Sequence, residues 1–334
     1  MMYKSTSPWL RAPDRNETFM VNVEIALLAL LAFSAFGYGW RPVLLTGLSI
    51  LSAVVCELIG NAVRHQRPTV FDGAAVVTGT IIGLLMSPMT AYWVPMLASA
   101  FAVIVVKIPF GGTGRNIFNP AAAGVALATQ CFATRLFTYP DAGIEQRLPL
   151  GNVMENIVTR TSPAAELAAG AKTAFTFEAV AWGELSGPIG ATAFFLLLAA
   201  AVFLFLRRTA SPLITVSYLA VCAFFAMLFP RSSEDGMWYN VAAEICSGYL
   251  LFAGIFLLND PVTAPKVPLA RVVYGALAGF LVMLLRHVGR FEEGACFAVL
   301  LVNTIAGPLD RACWYFCDGI RTRGGIFGKR GERT

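Results

Sequence analysis

The stretch MVNVEIALLALLAFSAFGYGWRPVLLTGLSILSAVVCELIG, residues 20–60, carries only three charged side chains, Glu24, Arg41 and Glu57. A helix that crosses a bilayer needs about 20 mostly apolar residues. The stretch therefore reads as two spans, 20–37 and 42–60, separated by a Gly-Tyr-Gly-Trp-Arg turn. The rest of the chain repeats the pattern. Of its 334 residues 57% are hydrophobic and 13% charged, with a mean hydropathy of +0.67. So few charges cannot cover a soluble surface of this size without leaving large apolar patches. Disorder and nucleic-acid binding are excluded by the same composition. The expectation is an all-α polytopic membrane protein in contact with the lipid bilayer.

About ten spans qualify, at 20–37, 42–60, 73–88, 93–106, 119–131, 187–206, 213–229, 241–258, 272–288 and 294–309. The third and fifth are rich in Gly, Ala and Thr, which places them inside the bundle, away from lipid. The first twenty residues contain Pro8, Pro13 and several charges, so they do not read as a signal peptide. With the N-terminus in the cytoplasm, 17 of the 25 Lys and Arg fall in inside segments and 4 in short outside loops. The other four, Arg135, Arg147, Arg160 and Lys172, fall in one long outside loop. That asymmetry predicts both termini in the cytoplasm. The expected organisation is a segment 1–19, a five-helix half 20–131, an outside loop 132–186, a second half 187–309 and a basic tail 310–334. Five spans per half bring the second half in from the opposite side, as in inverted repeats; ten unrelated helices remain the alternative.

Three segments break their spans with Gly, Pro and polar residues: FDGAAVVTG (71–79), FGGTGRNIFNP (110–120) and NDPVTAP (259–265). Irregular backbone at membrane depth occurs only where protein or a polar cavity satisfies it. Such segments suit close approach of a phosphate or flat ring, or are simply tight turns. None is a P-loop. Among ionisable groups near membrane depth, Glu244 is the best candidate for a buried carboxylate on an ion pathway. Asp72 and Asp260 are further candidates, although each also suits a helix cap. Snorkelling to the interface accounts for Glu24, Glu57 and Asp310.

The order Ser7-Pro8 with Arg11, FDGAAVVTG, FGGTGRNIFNPA, NDPVTAP, then Glu293-Gly294 and Asn303, resembles one membrane-protein family from about Ser7 to Asp310. It comprises the D subunit of the Rnf ferredoxin:NAD+ oxidoreductase complex and the B subunit of the Na+-translocating NADH:quinone oxidoreductase. Length and the short N-terminal tail look more like the Rnf subunit. The resemblance implies an inner-membrane, flavin-bearing subunit that relays electrons between ferredoxin and NAD+ and is coupled to Na+ or H+ movement. It is not a complete enzyme alone. Its implied partners are the other membrane subunits of an Rnf-type complex, including a second flavin-bearing one. The family's covalent FMN hangs by a phosphoester from a threonine in an Asp-x-x-Ser-Gly-Ala-Thr-Pro motif. The matching residues are Asn156-Ile157-Val158-Thr159-Arg160-Thr161-Ser162-Pro163. Ser162 takes the acceptor position, with Thr161 as the alternative and Thr159 and Arg160 beside it. The segment departs from the motif at five positions, 156 and 159–162. A noncovalent riboflavin is also implied, with Gly112, Asn116 and Asn119 as candidate contacts. Gly187-Pro188-Ile189-Gly190-Ala191-Thr192-Ala193 resembles the family's Gly-Ser-Leu-Gly-Glu-Thr-Ser, with Ala191 replacing an acidic residue. A cofactor-free transporter or channel, or a divergent scaffold member, are the other classes in view.

Overall fold

The computed structural model describes residues 16–65, 72–112, 114–141, 148–151, 158–171, 176–183, 185–231, 236–289 and 292–328. At residues 16, 17, 177, 181, 182 and 319–328 it describes the backbone alone. Helix α1 (Asn16–Tyr38) and α2 (Arg41–Val63) form the antiparallel pair expected from the opening stretch. Gly39 turns the chain between them with φ 79°. Then come α3 (Ala74–Leu84), α4 (Trp93–Phe101, running on as a π-helical turn Ala102–Lys107) and α5 (Pro120–Leu136). After a two-stranded pairing of β1 (Tyr139–Pro140) with β2 (Thr159–Arg160) come the short α6 (Pro163–Ala168) and α7 (Phe177–Trp182). The second half holds α8 (Phe194–Leu206), α9 (Pro212–Leu228), α10 (Met237–Cys246), α11 (Leu250–Phe252, continued by a π-helical turn Ala253–Leu257), α12 (Pro268–Val288) and α13 (Ala295–Gly328).

Among the described residues four helices are long and apolar enough to cross a membrane: Thr18–Tyr38, Arg41–Val63, Pro268–Val288 and Ala295–Asp318. Met237–Cys246 and Leu250–Leu257 together make a further span bent by 64°. Ala74–Leu84, Trp93–Lys107, Phe194–Leu206 and Pro212–Leu228 are shorter apolar helices. With one sheet of two two-residue strands among the described residues and an outer surface carrying exposed Phe, Leu, Val and Ile side chains, this is a multi-pass, all-α membrane protein.

The short helix α3 decides the centre of the fold. Its 11 residues extend only about 16 Å, about half of a bilayer's hydrocarbon core, and it ends with open carbonyls inside the protein. Neighbouring segments satisfy them. Gly190 N–H donates to Leu84 O at 2.7 Å and Ile189 N–H to Met86 O at 3.0 Å. Arg41 at the start of α2 donates from Nε to Pro88 O at 2.8 Å and from Nη2 to Thr90 O at 3.2 Å. The segment 187–193 therefore seals the end of α3, with Ala191 buried.

The span read as continuous over 241–258 is broken at Ser247-Gly248, where Gly248 has φ 60°. A Cβ there would overlap Glu293 Oε1, so glycine is also a steric requirement. The two broken segments share a plan. Gly73 (φ 76°) opens α3 as Gly248 opens α11. Six residues on, the carbonyl of Gly79 accepts from Ser49 Oγ of α2 at 2.7 Å, and that of Gly254 from Thr215 Oγ1 of α9 at 2.8 Å. Each of these glycines lies directly against the helix it pairs with, at Ile50 and Tyr218 respectively.

Candidate functional site

Three motif segments far apart in sequence converge on one cavity. Its lining includes Thr78 from α3, Asn116 and Asn119 from the FGGTGRNIFNP segment, and Asn259 and Asp260 from NDPVTAP. Apolar walls come from α1, α8 and the π-helical turn after α11, including Met20, Val23, Leu204 and Phe256.

The polar side chains divide by whether the protein already uses them. Asn119 caps α5, its Oδ1 accepting from Ala122 N–H at 3.2 Å, and its Nδ2 donates to Leu257 O at 3.0 Å. Asn259 accepts from Ser211 N–H at 2.8 Å and donates to Thr215 Oγ1, Gly254 O and Ile255 O at 2.9 to 3.1 Å. Both asparagines tie a broken span to a neighbouring helix. Asp260 folds back on its own turn, accepting from Val262 N–H at 3.3 Å and Thr263 Oγ1 at 3.2 Å. Asn116 differs: its Oδ1 is buried and has no hydrogen-bond partner among the described residues. A buried acceptor left unpaired is unfavourable, and a ligand donor in the cavity would satisfy it. Lys107 also lines the cavity, with Nζ 2.7 Å from Glu57 Oε1 and side chains 2% and 3% exposed. Snorkelling therefore does not describe Glu57; it is buried and paired with a lysine. Glu24 lies half-buried and accepts from Thr80 Oγ1 at 2.8 Å, while Asp310 accepts from the backbone N–H groups of Lys266 and Val267.

Two sequence candidates flank this cavity. Gly112 (φ 88°) closes the turn after the π-helix, its N–H donating to Lys107 O at 3.1 Å. Asp72 caps α3, accepting from Ala74 N–H at 3.0 Å. Thr113 lies outside the described residues.

The remaining candidates gather at the opposite end of the broken span. Ser162 is 3% exposed and is the N-cap of α6. Its Oγ accepts from Ala165 N–H at 3.1 Å and donates to Glu292 Oε2 at 2.5 Å. Thr161 is exposed, with Oγ1 donating to Glu166 Oε1 at 3.1 Å. Thr159 and Arg160 form exposed β2, where Arg160 Nη1 lies 3.4 Å from Asp141 Oδ1. Asn156, Ile157 and Lys172 fall outside the described residues.

Beneath Ser162 lies a charge cluster, of which the sequence singled out Glu244 as a buried carboxylate and Glu293 only within a family-like motif. Glu244 is 1% exposed and accepts from Arg231 Nη2 at 2.7 Å and Arg286 Nη1 at 3.1 Å. Arg286 Nη2 reaches Glu293 at 2.8 Å and Ser247 O at 2.9 Å. Arg286 sits in the last turn of α12, so in sequence it reads as a loop charge. The signal available was Ser247-Gly248, an unrecognised break that needed a donor for its carbonyls. Among the described residues the cluster holds three carboxylates, Glu244, Glu292 and Glu293, and two guanidinium groups, Arg231 and Arg286. Burial, reinforced by the Glu293 charge and opposed by the Ser162 hydrogen bond, raises the Glu292 carboxyl from 4.5 to about 7.

A model of the NQR2, RnfD, RnfE family matches residues 3–314. The chain belongs to that family. Among curated relatives, the D subunit of the ion-translocating oxidoreductase complex of Shewanella amazonensis is 27% identical, the alignment covering 92% of this chain and 94% of the relative. Its namesake from Klebsiella pneumoniae is 29% identical over 92% and 95%. The D subunit of the Na(+)-translocating ferredoxin:NAD(+) oxidoreductase complex of Acetobacterium woodii is 28% identical over 91% of each chain. The family match spans both the cavity and the charge cluster. It includes every motif segment that lines the cavity.

Proposed function

We propose that this protein is the D-type membrane subunit of an Rnf-like ion-translocating oxidoreductase complex, binding flavin and relaying electrons between ferredoxin and NAD+. The observation that carries the reading is the cavity at Asn116 and Asn119, where three broken segments meet around an unpaired amide oxygen. A flavin ring offers an N–H donor to match that oxygen and a flat body to match the apolar walls. When bound, it would supply reversible one- and two-electron chemistry. The chain's own part is to hold the ring and exclude water, through Asn119 and Asn259 as braces and Phe256 and Leu204 as walls. Riboflavin is the form that the family resemblance implies.

The second flavin would hang from the segment at the Ser162 end. Both hydroxyls can form a phosphoester, but they are placed differently. Ser162 is enclosed with its oxygen in use, so attachment there requires the first turn of α6 to lift; Thr161 is accessible as it stands.

The topology follows the same reading. Four long helices, the bent pair, four shorter apolar helices and α5 make ten crossings in two inverted halves. The matched plans of Gly73 with Gly79 and Gly248 with Gly254 support it. The Lys/Arg distribution puts both termini in the cytoplasm and the Ser162 end outside the inner membrane. The remaining membrane subunits of such a complex, one of them flavin-bearing, would be the partners, and Na+ or H+ the ion moved.

In-gel fluorescence of the denatured chain tests covalent flavin, and extraction of the native chain tests the noncovalent one. A fluorescent band lost in Thr161→Ala or Ser162→Ala identifies the acceptor. No band and no extractable flavin would refute the reading in favour of a cofactor-free transporter or scaffold. For the topology, a cysteine at Arg160 should react with an impermeant reagent from outside and one at Arg323 should not.

A further inference from the structure

Glu57 and Glu244, both within spans, each meet a cation: Lys107 for the first, Arg231 and Arg286 for the second. Glu24 differs. It follows the start of its span, Thr18–Tyr38, by about 9 Å of helix and forms no ion pair among the described residues. Snorkelling would turn its carboxyl back along α1 toward the membrane surface. It reaches sideways to α3 instead, where Oε1 lies 2.8 Å from Thr80 Oγ1. Its Oε2 is buried and has no hydrogen-bond partner among the described residues. Thr80 is 0% exposed, so the contact is shut off from water on the α3 side.

Thr80 Oγ1 also lies 2.9 Å from Val76 O, one turn back on α3. A hydroxyl has one hydrogen to give. With Glu24 ionised, that hydrogen serves either Val76 O or the carboxylate, and a charge at membrane depth keeps at most one hydrogen bond. With Glu24 protonated, the carboxyl donates to Thr80 Oγ1 while Thr80 donates to Val76 O, and both contacts are satisfied at once. A carboxyl taken from water without a cation beside it is neutralised rather than left charged.

The ionisable groups on the neighbouring elements are engaged elsewhere. Helices α2, α3 and α8 pack against α1. Neither α3 nor α8 contains an ionisable side chain. On α2, Arg41 donates to Pro88 O and Thr90 O, Cys56 bonds Ser52 of its own helix, and Glu57 is held by Lys107. Arg207, just after α8, donates from Nε to Asn22 Oδ1 at 3.3 Å, and Asp72 caps α3. Tyr38 is at the far end of α1. The chain neighbours of the pair, Val23 and Ile81, line the cavity, so Glu24 and Thr80 stand behind its wall.

We propose that Glu24 and Thr80 form a proton-binding site inside the membrane, the carboxyl holding the proton and the hydroxyl passing the hydrogen bond on to Val76 O. A hard metal cation takes several oxygen ligands, whereas the described residues bring a single hydroxyl to this carboxyl. The ion held here is therefore the proton. Ionisable groups at membrane depth serve as proton relays in other membrane proteins. The site stands apart from the flavin reading, since it needs no ligand in the cavity.

Infrared spectra of the full-length chain in lipid nanodiscs, recorded at about pH 7.5, test the site. The C=O band of a protonated carboxyl should be present and should lose intensity in Glu24→Gln, which keeps the size of the side chain. Thr80→Val should move the band to higher wavenumber, because the acid loses its acceptor, and Thr80→Ser should leave it in place. In parallel, the chain is treated with dicyclohexylcarbodiimide, an apolar reagent that modifies protonated carboxyls, and the labelled peptides are quantified by mass spectrometry. Glu24 lies beside the exposed Val21 and Ile25, within reach of a reagent dissolved in lipid. It is expected to be labelled, at rates in NaCl and KCl that agree within about twofold. A carboxyl band that Glu24→Gln leaves unchanged would overturn the site whatever the labelling shows. Labelling slowed by NaCl but not by KCl would overturn it too, since the carboxylate would then hold Na+. A band unmoved in Thr80→Val would overturn the pairing with Thr80. No labelling, with the band lost in Glu24→Gln, would still support the site.

Discussion

Arg286 holds Glu293 through both carboxylate oxygens, at 2.8 and 3.1 Å, with the two side chains 0% and 1% exposed. The pair joins the end of α12 to the loop before α13, and through Ser247 O it joins both to the break in the bent span. Removing one member of such a buried pair typically costs about 3–5 kcal/mol, because the other charge is left uncompensated. Glu293→Ala should lower the thermal midpoint in detergent by on the order of ten degrees. Gly248→Ala should do at least as much, since its Cβ would overlap Glu293 Oε1. A melting curve for Glu293→Ala that overlays the wild type would show that the pair does not hold this end together.

Glu292 gives the same region a pH dependence. Its folded value, about 7, lies above the ordinary 4.5, so the folded state binds the proton more tightly than the unfolded chain. That stabilisation is complete below about pH 4.5 and is lost as pH rises through about 7. The midpoint of the wild type should therefore fall by a few degrees between about pH 5 and 8. Glu292→Gln, which can still accept from Ser162 Oγ, should lack this component of the slope and be the more stable at pH 8. Equal slopes for the two proteins would count against a raised Glu292.

Asn116 and Asn119 separate ligand binding from folding. Asn119→Ala removes the α5 cap, at about 1 kcal/mol, and leaves Leu257 O without its donor, at about 1–3 kcal/mol more. Asn116 Oδ1 has no partner among the described residues to lose. Asn116→Ala should leave the thermal midpoint of the flavin-free chain within about two degrees of the wild type and weaken noncovalent flavin binding about tenfold. Unchanged flavin affinity in Asn116→Ala would remove this residue from the site.

The matched glycines make a further prediction. Gly79→Val and Gly254→Val each place side-chain atoms in space held by the partner helix, 2.6 Å from Ile50 Cα and 2.8 Å from Tyr218 Cδ1 already at Cβ. Both variants should lose the monodisperse peak in size-exclusion chromatography. Gly47→Val, which meets nothing within 4 Å at Cβ, should keep it. A normal elution profile for the two buried variants would mean that the helix contacts are looser than described.

The spans were legible because burial in lipid leaves a one-dimensional signal, a run of apolar residues of fixed length. The broken segments at 71–79, 110–120 and 259–265 were legible for the converse reason, since Gly, Pro and Asn have no place in a plain span. The break at Ser247-Gly248 was not. Its flanking residues are apolar, and one glycine in a span usually signals packing. Arg286 was missed for a related reason: a charge within the last turn of a span looks the same in sequence whether it faces water or a buried carboxylate. Glu57 was misread because its partner, Lys107, lies on another helix.

The sequence by itself determined a multi-pass helical protein, the polar segments that interrupt it and the residues that resemble its family, because all of these depend on local composition and order. Tertiary structure alone decided which segments meet. It brought Asn116, Asn119 and Asp260 to one cavity, placed Ser162 over Glu292 and paired Glu244 with Arg231 and Arg286. The physical reason is that an open carbonyl or a buried charge specifies that a partner must exist but not where in the chain it comes from. Only the packing of α3 and α11 against α2 and α9 fixed those partners in place.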